Sequence, residues 1–415
     1  MIDTQAKLER LEGTGFEAEA RATSQRVRRA VADALGSVQA DPTRPQSVGH
    51  LLGLDKSLAW KVARVVSDED ALAAVARIPG RGGQRILIEA LRTTGATVAV
   101  LKELGAALEE FEGLIERHAG DRETFGMMIA ALTPEGRRQL DEGHRRLSFQ
   151  GNSATWGVQA RVQISAHVVV PSRQNPDLLD LAIVSGLLDL RRLRNDTPWA
   201  VASLRGFHDD GSTVNSSPAE GIDPTWKPSQ GPPLMPQFCS PNLPPLQLVS
   251  REDGVTRFEI GAGAVGNTAG VTCITGWILR SDVERWRSGL DELGEHFVSL
   301  VTPAELLVHD VFLHRDLWPQ LPPTAHCYSL LPGGPVYPRG GRTRGLLPLV
   351  DPLLNLGSPP DATLPEAPRY HQIIAAVFKR IGFEPTEFRG VRFRLRYPPI
   401  PALVTMRYPL PERPR

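Results

Sequence analysis

Arg392-Phe393-Arg394-Leu395-Arg396-Tyr397 alternates cation and apolar side chain without a break. A period of two is the mark of a β-strand, because successive side chains leave opposite faces of the pleat. The run predicts a half-buried strand with Phe393, Leu395 and Tyr397 inward and the three arginines toward solvent. Similar patterns predict strands over residues 159–171, 255–260, 271–279 and 403–408, with helices over 281–300 and 370–381. Val, Thr, Pro and Gly become more frequent after about residue 151. The expectation for residues 151–415 is a β-rich, mainly antiparallel α+β domain. Two stretches, 211–245 and 317–368, repeat Pro and Gly, as in Pro332-Gly333-Gly334-Pro335. They read as long Pro/Gly-rich loops that pack over a sheet or contact a partner.

Upstream the pattern changes. Through residues 1–150 proline is scarce and Ala, Leu, Glu and Arg dominate, a helix-forming composition. Helices are expected over 16–38, 47–53, 56–66, 84–93, 98–119, 122–132 and 134–147. In the first, Val27, Val31, Ala34, Leu35 and Val38 form one apolar stripe, opposite Arg21, Arg26, Arg28 and Arg29. In 98–119, Leu101, Leu104, Leu108, Phe111 and Ile115 recur at heptad-like spacing, which suits either its own core or a dimer seam. The fold class is therefore α+β and multidomain: an all-helical domain, then the β-rich one.

Among 415 residues, 47 Lys and Arg balance 47 Asp and Glu. No global field steers this chain to nucleic acid or anionic membrane, so any such contact needs a local basic patch. Three cysteines, Cys239, Cys273 and Cys327, lie far apart and form no CxxC; a reducing, cytoplasmic setting is expected. The polar first ten residues do not read as a secretory signal. The most apolar stretch, 178–193, is broken by Asp180, Asp189 and Arg191, so no membrane span is expected.

Within the helical half, residues 45–64 read PQSVGHLLGLDKSLAWKVAR. Val48 and Leu52 suit a buried face, and Gly49 suits a close crossing. Gly53 suits a left-handed turn, Leu54 buries that turn, and Asp55 suits a helix N-cap. Ala59 and Val62 return to the core. Lys56, Ser57, Trp60, Lys61 and Arg64 remain outward. This segment resembles the core of helix-turn-helix DNA-binding modules found in bacterial transcription regulators. The resemblance implies DNA contact by those five outward residues, since Lys, Arg and Ser reach phosphates and base edges. Arg26, Arg28 and Arg29 would extend the basic surface. The small Ala59, the bulky Trp60 and the absence of a wing pattern after residue 68 depart from that family. The same residues also suit two short helices with no DNA role.

Other constellations carry chemistry on different terms. Gly261-Ala262-Gly263-Ala264-Val265-Gly266 matches GxGxxG after a strand, but the β-rich run that follows cannot supply the helix a dinucleotide needs. A glycine-rich hairpin is expected there. His309, Asp310 and His314 are the densest ligand-like cluster and would bind a divalent metal if their side chains converged. His208-Asp209-Asp210 is a second such group, and Arg339-Gly340-Gly341-Arg342-Thr343-Arg344 a basic loop. No P-loop, GxSxG, HExxH or CxxC occurs.

Three readings follow. The first is a DNA-binding transcriptional regulator whose C-terminal domain senses a small-molecule effector or mediates assembly as a homo-oligomer. The second is an enzyme with a metal or acid/base site around His309, Asp310 and His314. The third is a structural or assembly protein. No cofactor is named by any motif.

Overall fold

A computed structural model describes residues 2–413 apart from 69–70, 76, 133, 205, 208–212, 215–219, 251–255, 288–292, 319–322, 332–344 and 348–350. The chain divides into two compact units, Met1–Asp141 and Glu142–Arg415.

The first unit is helical: α1 (Ile2–Ser37), α2 (Pro45–Leu52), α3 (Lys56–Ser67), α4 (Ala71–Val75), α5 (Arg81–Thr94), α6 (Val98–His118) and α7 (Arg122–Ala131). Helix α8 (Pro134–Trp156) runs through the division between units. Val27, Val31, Ala34 and Leu35 of α1 share one core with Leu104, Leu108, Phe111, Leu114 and Ile115 of α6. The heptad-like stripe is thus buried inside its own unit. The acidic face of α6 is used internally as well. Glu103 and Glu110 pair with Arg26, and Glu112 accepts a hydrogen bond from Gln84.

The second unit is built on a seven-stranded sheet. Its members are β1 (Val158–Pro171), β2 (Leu178–Arg192), β6 (Glu220–Gly221), β9 (Val271–Glu284), β11 (Ala304–His314), β14 (Leu353–Gly357) and β15 (Phe388–Arg396). Their order is β14-β15-β11-β1-β2-β9-β6; only β1 and β11 run parallel. The apolar stretch over 178–193 is β2, flanked by β1 and β9. One face of the sheet is covered by α9 (Tyr370–Ile381), with Ile222, Met235, Phe238 and Leu364 from the breaker-rich stretches. Those loops therefore complete a core. The other face meets a four-stranded sheet, β10 (Leu293–Leu300), β16 (Ala402–Pro409), β12 (Thr324–Ser329) and β13 (Leu346–Leu347), in that order. A third sheet, β3 (Trp199–Leu204), β8 (Thr256–Ile260) and β7 (Leu246–Ser250), closes a smaller core. A short pair, β4 (Gly206–Phe207) with β5 (Thr213–Val214), completes the set. The fold class is α+β, helical first and strand-rich after.

The described residues of 281–300 do not form the expected helix. β9 continues to Glu284, opposite Leu178, and β10 pairs along β16. His296, Val298 and Leu300 are buried at every second position, so the period there is two. The glycine motif is not a hairpin either: it links β8 of the three-stranded sheet to β9 of the large one. Its backbone folds around Arg192, with Gly266 N–H donating to Arg192 O (3.0 Å) and Gly263 N–H to Asn195 O (2.9 Å). Among the described residues no helix is long and apolar enough to cross a membrane.

Candidate nucleic-acid interface

α2 and α3 meet through the small residues the sequence supplies. A Cβ added at Gly49 would stand 3.1 Å from the Ala59 side chain, so the two helices cross closely there. Gly53 ends α2 at φ 62°, the left-handed region where a side chain is strained, and its N–H donates to Gly49 O. Asp55 then caps α3, accepting from Ser57 N–H (2.8 Å) and Leu58 N–H (3.1 Å). Val48, Leu52, Leu58, Ala59, Val62 and Val65 are buried in the unit's core.

The opposite face of α3 carries Lys56, Ser57, Trp60, Lys61 and Arg64, all exposed. Lys56 and Lys61 make no ion pair among the described residues. Trp60 remains 39% exposed. The guanidiniums of Arg77 and Arg64 stand 4.8 and 5.7 Å from its ring centre, so it joins a small cation–π group and does not enter the core. Asp68 lies 3.5 Å from Arg64 and 3.8 Å from Arg77 and offsets part of their charge. Both arginines are solvent-facing, so such pairs are weak and exchangeable, on the order of 0.5 kcal/mol.

The basic surface does not extend along α1 as the sequence suggested. Arg26 is held between Glu103 and Glu110. Arg28 donates to Val66 O at 2.9 Å and so satisfies a carbonyl in the last turn of α3. Arg29 is exposed. The cationic patch on α3 is thus local.

The His309, Asp310, His314 cluster lies on β11, and the pleat divides it. His309 faces the four-stranded sheet. Its Nε2 is 3.3 Å from His296 O and its ring packs edge-on against His167. His167 Nδ1 is 3.3 Å from His296 Nδ1, and His296 Nε2 is 3.3 Å from the Tyr408 hydroxyl. This buried row was invisible in sequence, because its members come from β1, β10, β11 and β16. Burial pushes all three imidazoles down, His296 to about 3 and His309 to about 4, so they are neutral.

Asp310 faces the other way, toward α9. Arg392 clasps it with Nε at 2.9 Å and Nη2 at 2.8 Å, and Tyr370 donates its hydroxyl at 2.8 Å. Arg392 also donates to Thr363 O. Burial raises the Asp310 carboxyl, and the guanidinium pulls it back. Burial also opposes the charge on Arg392, but its bonds to Asp310 outweigh that and raise its pKa. His314, on the Asp310 face, packs against Phe388 and stands 3.7 Å from Glu387. Among the described residues no group of three or more His, Cys, Asp or Glu could hold a metal ion. His208-Asp209-Asp210 and the basic loop from Arg339 to Arg344 lie outside the described residues.

No family model matches this chain. No curated protein and no solved structure matches it either. The functional reading therefore rests on the residues and their geometry.

Proposed function

We propose that this chain is a DNA-binding protein of the transcription-regulator type, with α3 as the element that enters the major groove. One observation carries the reading: a capped helix whose Lys56, Ser57, Lys61 and Arg64 are exposed on one face while its other face is buried behind a glycine turn. Twelve residues make a rod of about 18 Å, which the major groove accommodates. The two lysines and Arg64 supply phosphate contacts, Ser57 and Arg64 reach base edges, and Trp60 adds an apolar surface beside them. The strand-rich unit would carry effector sensing or assembly.

The test is selection from a pool of random duplexes with the full chain, followed by binding of the enriched sequence. The enriched duplex should be lost to the double variant Lys61→Ala/Arg64→Ala, with at least a tenfold fall in affinity. Failure to enrich any sequence, or equal binding by the variant, overturns the proposal.

A further inference from the structure

Cys239 and Cys273 are 34 positions apart in the chain and share no motif, yet the fold sets the Cys239 sulfur 3.3 Å from the amide nitrogen that follows Cys273. The irregular segment before Cys239 runs along the edge of β9 beyond the short β6. Met235 N–H donates to Ile274 O and Ser240 N–H to Thr272 O, both at 2.9 Å. Between these bonds the Cys239 side chain takes the place of a backbone partner. Its sulfur accepts the Ile274 N–H at 3.3 Å and lies 3.4 Å from Ile274 O. Cys273, the residue before Ile274, is fully buried, so the Cys239 sulfur lies against the peptide group that joins Cys273 to Ile274. Cys239 is partly exposed, and both are free thiols.

The two are chemically unequal. The Cys273 thiol and the backbone N–H groups of Ile274 and Met235 stabilise a Cys239 thiolate against burial, bringing its pKa down to about 7. Cys273 is pushed well up, by the Cys239 sulfur and by burial. Cys327 is pushed to about 12 by burial alone, apart from a small opposing effect of Arg145. One partly exposed sulfur with a lowered pKa beside one buried thiol with a raised pKa is the arrangement of an attacking and a resolving cysteine.

We infer that Cys239 and Cys273 form a peroxide-reactive dithiol, oxidised reversibly to an intrachain disulfide. The Cys239 thiolate attacks one oxygen of a hydroperoxide. The S–O bond forms, the O–O bond breaks, and the departing oxygen takes a proton and leaves as water or an alcohol. The Cys273 thiol then displaces the sulfenic oxygen: S–S forms, S–O breaks, and the oxygen leaves as water carrying the Cys273 proton. The peroxide gains the two electrons that the thiols lose. An external dithiol reduces the disulfide by exchange, returning both thiols and itself becoming a disulfide. The disulfide ties the segment before residue 240 covalently to β9.

The test treats the full-length chain with hydrogen peroxide at neutral pH, then denatures it and alkylates it with iodoacetamide. The expected product is lighter by two hydrogen atoms before alkylation, takes label on Cys327 only, and yields a Cys239–Cys273 crosslinked peptide that a dithiol abolishes. The variant Cys273→Ser should stop at a sulfenic acid on Cys239, which a 1,3-dione traps. Over-oxidised Cys239 with Cys273 still open to label, a crosslink between chains, or an unreacted Cys239 overturns the inference. A second readout needs no variant. Alkylation of the native wild-type chain should modify Cys239 alone, with a rate that titrates near pH 7. Titration near the ordinary thiol value, or equal labelling of Cys273, overturns it as well.

Discussion

Arg392 sits in a run whose alternation sends it to the polar face of β15, and on a sheet open to water that face would be solvent. Here the face is graded. Arg396 is exposed, Arg394 is half-buried beside Glu366, and Arg392 is 4% exposed beneath the start of α9. The period of two was legible; the cover over one end of the strand was not, because it comes from residues 361–370, distant in sequence. A guanidinium there must have its charge met, and Asp310 on the neighbouring strand meets it with two hydrogen bonds. Removing one partner leaves the other buried and uncompensated. Arg392→Met should therefore lower the unfolding free energy by about 3–5 kcal/mol in urea titrations. The double variant Asp310→Leu/Arg392→Met should recover much of that loss, since an apolar pair needs no compensation. A single variant as stable as wild type would contradict the assignment of this pair. Tyr370→Phe removes one hydrogen bond to the same carboxylate and should cost about 1–3 kcal/mol.

Elements written in a single period were readable from the chain. α9 runs over Tyr370–Ile381, the stretch its 3.6-residue stripe predicts, and α2, the turn and α3 follow from Gly53, Leu54 and Asp55. Residues 281–300 misled because Val283, Trp286, Leu290, Leu293 and Phe297 recur three or four apart, while the pairing partners of this stretch, 178–179 and 402–409, are remote. The sequence left convergence of His309, Asp310 and His314 open, and the pleat of β11 separates His309 from Asp310; the meeting of His309 with His167 and His296, on other strands, was not legible. Gly53→Ala places a Cβ in left-handed backbone and should destabilise the helical unit by about 1–2 kcal/mol, seen in its denaturation midpoint. The row of histidines between the two sheets makes a pH prediction. Unfolded histidine titrates near 6.5, and the folded values lie below that. Below pH 6.5 the unfolded chain binds more protons, so the contribution is fully present above 6.5. It is lost as pH falls toward 4 for His309 and toward 3 for His296. Each histidine contributes up to about 1.4 kcal/mol per pH unit across its window. Stability in urea should decline from pH 7 to pH 4.5, with proton uptake on unfolding in calorimetry. A flat profile with no uptake would rule out three neutral buried imidazoles.

At the scale of the whole molecule, balanced charge means no long-range pull on DNA, and the proposed contact rests on a local patch, the exposed face of α3. The pairing of Arg26 with two glutamates keeps that residue of α1 from extending the patch. Lys56, Lys61 and Arg64 are the α3 cations that phosphate contact would recruit. A protein that binds this way has a shallow salt dependence, because few counterions are released. The decisive measurement is the salt dependence of duplex binding by fluorescence anisotropy, for wild type, Lys61→Ala/Arg64→Ala and Arg26→Ala. Loss of the two α3 cations should weaken binding at least tenfold and flatten the log–log salt slope by roughly two, while Arg26→Ala leaves both nearly unchanged. Equal slopes for wild type and the α3 variant, or a larger loss from Arg26→Ala, would contradict α3 as the DNA-contacting element.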